Sequence, residues 1–540
     1  MCLPCRTLHR GSAQRVIDMG DNSVTNGIFV GGGGETYAVP QNLALNFGNR
    51  HGLIAGATGT GKTITLQILA EGFSAAGVPV FLADVKGDLS GIGAAGSTRS
   101  KLDAPFQARA KQIGYELTYR TYPVTYWDVF GAQGHPIRAT VAEMGPLLLA
   151  RILDLNDAQE GVLNVAFRLA DEEQLPLVDM KDLQALMVFI GQHASDISTR
   201  YGLVAISSIG AIQRQLLVLE NAGATPLFGE PALDLADLMR VDASGAGMIN
   251  VLAADKLMLQ PKLYAVFLLW LLTEMFQTLP EVGDPDRPKL VFFFDEAHLL
   301  FNDAPKSLVD KVEQVARLIR SKGVGVYFIT QNPADVPDTI LGQLGNRVQH
   351  ALRAFTAKDQ KDLAKAAETY RPNPRFKIED VIRDVGTGEA VTSFLEGKGV
   401  PGVAERTLIR SPSTQVGPIE PAQRKAIMDA SPMGAKYNQT VDRDSAYERL
   451  RARTTLAAPP ASAPAPGGVI WPGQTQTAPT DGFNNARRVG TNAPTAPVRK
   501  PAARHSDSLA ETMMKSFGRQ IANQAGREVV RGILGSILKG

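Results

Sequence analysis

Gly56-Ala57-Thr58-Gly59-Thr60-Gly61-Lys62-Thr63 matches G-x-x-x-x-G-K-[ST] in full. Its glycines let the backbone wrap a phosphate with successive N–H groups pointing inward. The helix expected to start at this loop turns its positive end toward the same anion. In that arrangement Lys62 reaches the β- and γ-phosphates and Thr63 holds Mg²⁺. Far downstream, Lys289 to Glu296 reads KLVFFFDE, a buried strand ending in two acids. This is the form of a Walker B motif, in which Asp295 binds Mg²⁺ through water and Glu296 polarises the attacking water. Asp84-Val85-Lys86-Gly87 has the D-x-x-G form of GTPases, but no N-K-x-D follows to read guanine, so ATP is the expected nucleotide. The strand-like run Val324 to Thr330 ends in Gln331-Asn332, a polar tip suited to sensing a γ-phosphate and placing water.

Arginines form a further set. Arg50 precedes the P-loop strand, Arg317 and Arg320 lie three residues apart on one helix face, and Arg347 and Arg353 flank the next strand. Each alone reads as a solvated or salt-bridged surface residue. Around an ATPase core, some of them are expected to contact phosphate, in cis or across a subunit boundary.

Positioning these groups requires alternating strands and helices. Leu53 to Ala55 reads as a strand, Lys62 to Ala76 as a helix with Leu66, Leu69 and Phe73 on one face, and Val78 to Ala83 as a second strand. Strand, helix, strand at this spacing implies a parallel sheet. Residues 139–240 carry helical periods throughout and predict a helical insertion between strands of one sheet. Met248 to Leu252, Leu290 to Phe294, Val324 to Thr330, Arg347 to Leu352, Ala390 to Phe394 and Glu405 to Ile409 read as further strands, and roughly Pro305 to Lys322 as a helix. Gly31 to Gly34 reads as a flexible turn. Leu263 to Phe276 is the most apolar run; it is too short to span a bilayer and contains Glu274, so a buried core helix is expected.

The 540 residues exceed one small domain, and 44% hydrophobic with 20% charged residues excludes bulk disorder and collagen-like structure. A formal net charge of +2 excludes a protein that coats nucleic acid, so any basic surface is local. Only Cys2 and Cys5 are present. That excludes a disulfide scaffold and points to a reducing, cytoplasmic setting. Residues 1–18 are expected to be a disordered extension and 19–410 the ATPase domain. Residues 411–505 read as a mostly disordered linker, rich in Ala and Pro over much of its length. Residues 506–540 regain helical periodicity. Phe517, Ile521, Ala525, Val529, Ile533 and Ile537 recur every four residues beside a net basic charge, which predicts a basic amphipathic helix. Such a helix can lie peripherally on an anionic membrane, dock on a partner, or fold back on its own core.

The combination of motifs resembles the HerA–FtsK superfamily of hexameric motor ATPases, and within it the bacterial helicase HerA-like group. The likeness covers roughly Gly27 to Ser411. It rests on Arg50 to Gly56 running into the P-loop, Asp84 to Leu89, Asp295-Glu296-Ala297-His298, Gly323 to Pro333, and Gly345 to Arg353. It implies an α/β, RecA-like P-loop NTPase core with a mostly parallel sheet. It further implies that Arg50 helps bind phosphate, that Gln331 is a sensor glutamine, and that Arg317 or Arg320 supplies a trans-acting arginine finger. A homo-oligomer, probable in its hexameric form by this likeness, would act on DNA as a translocase or helicase. HerA itself carries a β-barrel domain before its core, and the 55 residues before Gly56 are too few for one. Remodelling of a protein or membrane-associated assembly, and a slow nucleotide-dependent scaffold, are the alternative outputs.

Overall fold

The computed structural model describes residues 27–301 and 306–457. The expected extension at 1–18 and the amphipathic helix at 506–540 lie outside them. The strands are β1 (Gly27–Gly33), β2 (Val39–Ala44), β3 (Gly52–Ala55), β4 (Val80–Asp84), β5 (Val124–Asp128), β6 (His135–Pro136), β7 (Ile249–Ala253), β8 (Leu290–Phe294), β9 (Val324–Thr330), β10 (Asn346–Gln349) and β11 (Glu389–Ser393), then a small hairpin of β12 (Leu395–Glu396) and β13 (Val400–Pro401), and β14 (Glu405–Ile409). Twelve of them form one sheet in the order β2-β1-β14-β11-β10-β3-β9-β8-β4-β7-β5-β6.

From β10 to β6 every neighbouring pair is parallel, and β2-β1-β14-β11 adds an antiparallel flank that joins at β10. The composition of the central strands explains this. Every residue of β8 and β9 is buried, and near-continuous apolar runs suit strands covered on both faces. On one face, helix α1 (Lys62–Ala75) sets Leu66, Leu69 and Phe73 against Ile54, Val80, Leu82, Val291 and Phe293. The other face packs into a larger core. It includes Phe292, Phe294 and Phe328 of the sheet with Tyr264, Phe267 and Trp270 of the apolar helix. That helix spans Pro261–Thr278 and is buried, as its length and composition lead one to expect.

Between β6 and β7 come the helices Val141–Ile152, Asp157–Glu172, Met180–Gln192, Ala194–Tyr201, Ile206–Asn221 and Leu235–Leu238. Capping boxes at Thr140/Glu143, Asn156/Gln159 and Asp179/Asp182 fix where the Val141, Asp157 and Met180 helices start.

Two sequence expectations change. Gly31 to Gly33 are not a turn; they lie in β1, which bulges between Phe29 and Gly31. A Cβ on Gly31 would stand 2.2 Å from the Leu408 carbonyl oxygen, and one on Gly32 2.0 Å from that of Tyr37. The glycines permit close backbone approach there, and the turn begins only at Gly34. The chain also stays folded past residue 411. Pro421–Ala430, Met433–Tyr437 and Ala446–Ala457 are helices. Buried Tyr437 makes an edge contact with Trp127, at 5.2 Å between centroids, and its hydroxyl donates to Asp237 at 2.6 Å. Asp182, fully buried, accepts from Ser445 Oγ and the Tyr447 N–H. A few buried anchors hold an otherwise polar segment, which composition alone conceals.

One buried ion pair ties α1 to the antiparallel flank. Arg410 Nη1 lies 3.0 Å from Glu71 Oε2, and its other donors reach the Phe29 and Ile68 carbonyls. Glu71 also accepts from the Ser413 and Thr414 N–H groups and the Thr414 hydroxyl. Every lone pair is used, so deleting one partner strands a buried charge. Glu71→Ala is expected to cost about 3–5 kcal/mol, read as a lowered midpoint in denaturant unfolding. A midpoint within error of wild type would show that the pair is not a staple.

Candidate nucleotide site

The loop 56–61 leaves the C-terminal end of β3, and α1 starts at Lys62. Gly56, Gly59 and Gly61 have φ of +151°, +78° and +114°, a region L-residues avoid. At Gly56 a Cβ would also meet the Cβ of His350 at 2.5 Å. The Gly388 N–H donates to the Thr60 carbonyl at 2.9 Å, and Arg109 donates to the Thr387 and Gly388 carbonyls, so a second loop braces the first. Lys62 is turned inward. Its Nζ donates to the Gly56 carbonyl at 2.6 Å and to Ala57 at 3.1 Å. Burial holds its pKa below the usual range, while Glu296 and Asp295 oppose that shift.

Register brings the other motif to the same edge. Ala55 pairs with Thr330, Leu82 with Phe293 and Phe294 with Phe328. Gln331, Asp295 and the segment after Asp84 therefore all emerge beside the P-loop. Glu296 is only 4% exposed and takes φ +51°. Its Oε1 accepts from Lys86 Nζ at 2.5 Å. Its Oε2 lies 3.5 Å from Gln331 Nε2 and 3.3 Å from His298 Nδ1. Burial pushes the Glu296 carboxyl up, but the Lys86 hydrogen bond and charge, with His298 and Gln331, outweigh it and hold it low. Asp295 is the opposite case: burial and the neighbouring Glu296 charge push it up to about 7. Asp84, beside it across the sheet, is raised to about 6 by burial and by Asp88.

These residues fit Mg²⁺. Asp295 is a half-buried carboxylate crowded by a second acid, which a cation would relieve, and Thr63 stands in the first turn of α1. Among the described residues no cluster of three or more His, Cys, Asp or Glu side chains forms a metal cage.

The arginines are placed differently from one another. Arg50 lies at the N-terminal end of β3, about 16 Å of strand from the P-loop. There it pairs with Asp284 at 3.1 Å and lies over the Phe47 ring. Arg320 pairs with the same Asp284 at 3.1 Å. The structure therefore does not bring Arg50 to the phosphate loop of its own chain. Arg347 donates to the carbonyls of Leu341, Leu344 and Thr369, so its guanidinium is spent on backbone. Arg317 is exposed and bonds Glu313 one turn back. Neither Arg317 nor Arg320 faces this chain's own P-loop, because both precede the N-terminal end of β9.

Two residues of the sequence motifs take up contacts that the motifs do not assign. Lys86 contacts Glu296, and the motif's lysine was the available signal. His350 sits under the P-loop, with Nδ1 donating to the Glu389 carbonyl at 2.9 Å and Nε2 accepting from Thr65 Oγ1 at 2.8 Å. With Nδ1 carrying the proton, Nε2 accepts only while the ring is neutral, and burial lowers its pKa to about 4.

The family model described as Helicase HerA-like C-terminal matches residues 33–540. The chain belongs to this family of P-loop ATPases. The probable helicase MJECL08 of Methanocaldococcus jannaschii is 30% identical over 118 residues, 21% of this chain and 20% of that protein. The match thus spans about a fifth of the curated relative's length. Among solved structures, VirB4 of Thermoanaerobacter pseudethanolicus superposes with a TM-score of 0.45 at 14% identity, covering 72% of this chain and 97% of that one. The plasmid coupling protein TrwB in complex with ADP and Mg²⁺ gives 0.44 at 17%, covering 71% and 89%.

The neutral ring of His350 has a measurable consequence. Its folded pKa of about 4 lies below the unfolded value of 6.5, so the unfolded chain binds the proton first. The stability that depends on neutral His350 is complete above pH 6.5 and is lost as pH falls toward 4. His51, buried and also lowered to about 4, adds to the same slope. Thermal midpoints measured across this window should fall for wild type and fall less steeply for His350→Gln. Equal slopes would remove His350 from the acid response.

Proposed function

We propose that the chain is an ATP-hydrolysing motor of HerA-like type, working on DNA as a hexameric ring of like subunits. The observation that carries the ATPase reading is the convergence of the P-loop, Asp295-Glu296 and Gln331 on one edge of the parallel sheet, where ligands bind in open α/β folds. Backbone N–H groups of Gly59 to Thr63 and the start of α1 would cradle the phosphates of ATP, with Lys62 swinging out from its loop carbonyls onto the β- and γ-phosphates. Glu296 would orient the attacking water and accept its proton, and Gln331, against the same carboxylate, would help hold that water. Thr63 and Asp295 would hold Mg²⁺, which when bound would neutralise charge at the phosphate oxygens.

Arg317, exposed, and Arg320, half-exposed, both lie away from their own P-loop and support a finger supplied across a subunit boundary. Which of the two serves is left to mutation. The assigned compartment is the cytoplasm; a peripheral membrane contact would fall to residues 506–540. Among the described residues no single helix is long and apolar enough to cross a membrane.

What supports DNA as the track is the loop after β10, at the edge that also bears the P-loop. Phe355 is 83% exposed, and Arg353, Lys358 and Lys361 beside it are exposed. Asp359 accepts from the Phe355 and Thr356 N–H groups and holds the loop in place. An aromatic ring among cations is a stacking platform for unpaired bases. A protein or membrane-associated assembly as the substrate is favoured instead by the exposed Leu203, Ile206, Leu217 and Val218 of the helical insertion.

Three measurements test these readings. Glu296→Gln should retain ATP and lose at least about 100-fold in turnover; turnover at the wild-type rate would refute the assignment. Wild-type ATPase should rise with single-stranded DNA and lose that rise as salt increases. Phe355→Ala should keep its DNA-free rate and need about tenfold more DNA for half-stimulation. Wild-type turnover indifferent to DNA would favour the protein-remodelling reading or a slow scaffold.

A further inference from the structure

We propose that Lys86 is a second phosphate-binding lysine of this site, parked on Glu296 until a triphosphate draws it away. The inference rests on the ATPase reading above and goes beyond it by giving the resting site a lock. β4 lies beside β8, so the segment after Asp84 passes over the Walker B acids and places Lys86 Nζ on Glu296 Oε1 at 2.5 Å. The two partners are unequal. Glu296 has a side chain 5% exposed, a backbone fixed at φ +51°, an N–H donating to its neighbour Asp295 Oδ1, and Gln331 and His298 on its other oxygen. Lys86 has a side chain 47% exposed and precedes Gly87, whose φ is +76°. When the pair breaks, the lysine is the partner that moves.

Charge gives the reason for it to move. Lys62 lies within electrostatic reach of Lys86, Glu296 and Asp295, so both ammonium groups belong to one site. Each is occupied by protein oxygen, Lys62 by the Gly56 and Ala57 carbonyls and Lys86 by Glu296. A γ-phosphate entering between them offers a denser anion than a carboxylate already shared with Gln331 and His298. Once Lys86 transfers to it, Glu296 Oε1 is free to accept a proton from water. With no γ-phosphate present, the same oxygen is blocked. Lys86 thereby acts on water through Glu296 as a positioning residue, and on the triphosphate directly.

A double-mutant cycle on the full chain separates these roles without relying on hydrolysis. Binding of a fluorescent non-hydrolysable ATP analogue and of the matching ADP analogue, both with Mg²⁺, is measured for wild type, Glu296→Gln, Lys86→Met, the double variant and Lys86→Arg. Losing a charged partner shifts such contacts by about tenfold. Lys86→Met should weaken the triphosphate analogue by about that factor and barely affect the diphosphate. Glu296→Gln should tighten the triphosphate several-fold, because Lys86 no longer has to be taken from a carboxylate. In the Lys86→Met background that tightening should vanish, and Lys86→Arg should retain most of the wild-type affinity. Overturning results are a tightening by Glu296→Gln that persists without Lys86, no tightening at all, or equal effects on the diphosphate. If Glu296→Gln turned over ATP at the wild-type rate, the ATPase assignment would fall on that measurement alone. The cycle would still report on Lys86.

Discussion

The site is organised around a balance of buried charge at the C-terminal edge of the sheet. Asp295 and Glu296 are adjacent acids, one half-buried and the other almost without access to water, and two lysines from separate segments lie within electrostatic reach of them. Such a cluster is costly unless each charge has a partner. The resting arrangement meets that condition from within: Glu296 takes Lys86, Lys62 takes the carbonyls of its own loop, and Asp295 is pushed toward its neutral form. Every contact made this way is one that a nucleotide and its metal ion would have to exchange. Within the chain the site is internally neutralised, and each of these partners is a group that phosphate could replace.

The rest of the fold holds that edge in register. Parallel neighbours β3, β9, β8 and β4 bring four separate chain segments to one line, and buried strands leave no room for slippage. The helix that carries Lys62 and Thr63 is clamped at its middle by Glu71 and Arg410 to the antiparallel flank. His350 braces its first turn through Thr65. The loop before β11 touches the P-loop through Gly388, so the flank is part of the wall of the site.

Much of this was legible because the chemistry is local. An eight-residue loop must carry its own glycines, lysine and hydroxyl, and a strand ending in Asp-Glu announces its position by its apolar run. The parallel core and the family resemblance followed from such contiguous signals. What escaped was set by partners distant in the chain. Lys86 and Glu296 are 210 residues apart, and nothing in either motif names the other. Arg50 stands at the opposite edge of the sheet from the P-loop of its own chain because β3 runs between them, a distance that closeness in sequence hides. Gly31 to Gly33 serve close strand approach, which composition cannot distinguish from a turn. The segment after 411 looked like linker because only a few of its residues, Ile419, Met433, Tyr437, Ala446 and Leu450 among them, are buried apolar anchors.

The central claim is that both lysines leave protein oxygens for phosphate when nucleotide enters. A structure of the full chain with a non-hydrolysable ATP analogue and Mg²⁺ tests this directly. The account requires Lys62 Nζ to have left the Gly56 and Ala57 carbonyls, Lys86 Nζ to lie within hydrogen-bond distance of the γ-phosphate, and Glu296 Oε1 to face solvent or an ordered water. An occupied site with Lys86 still on Glu296 would contradict it.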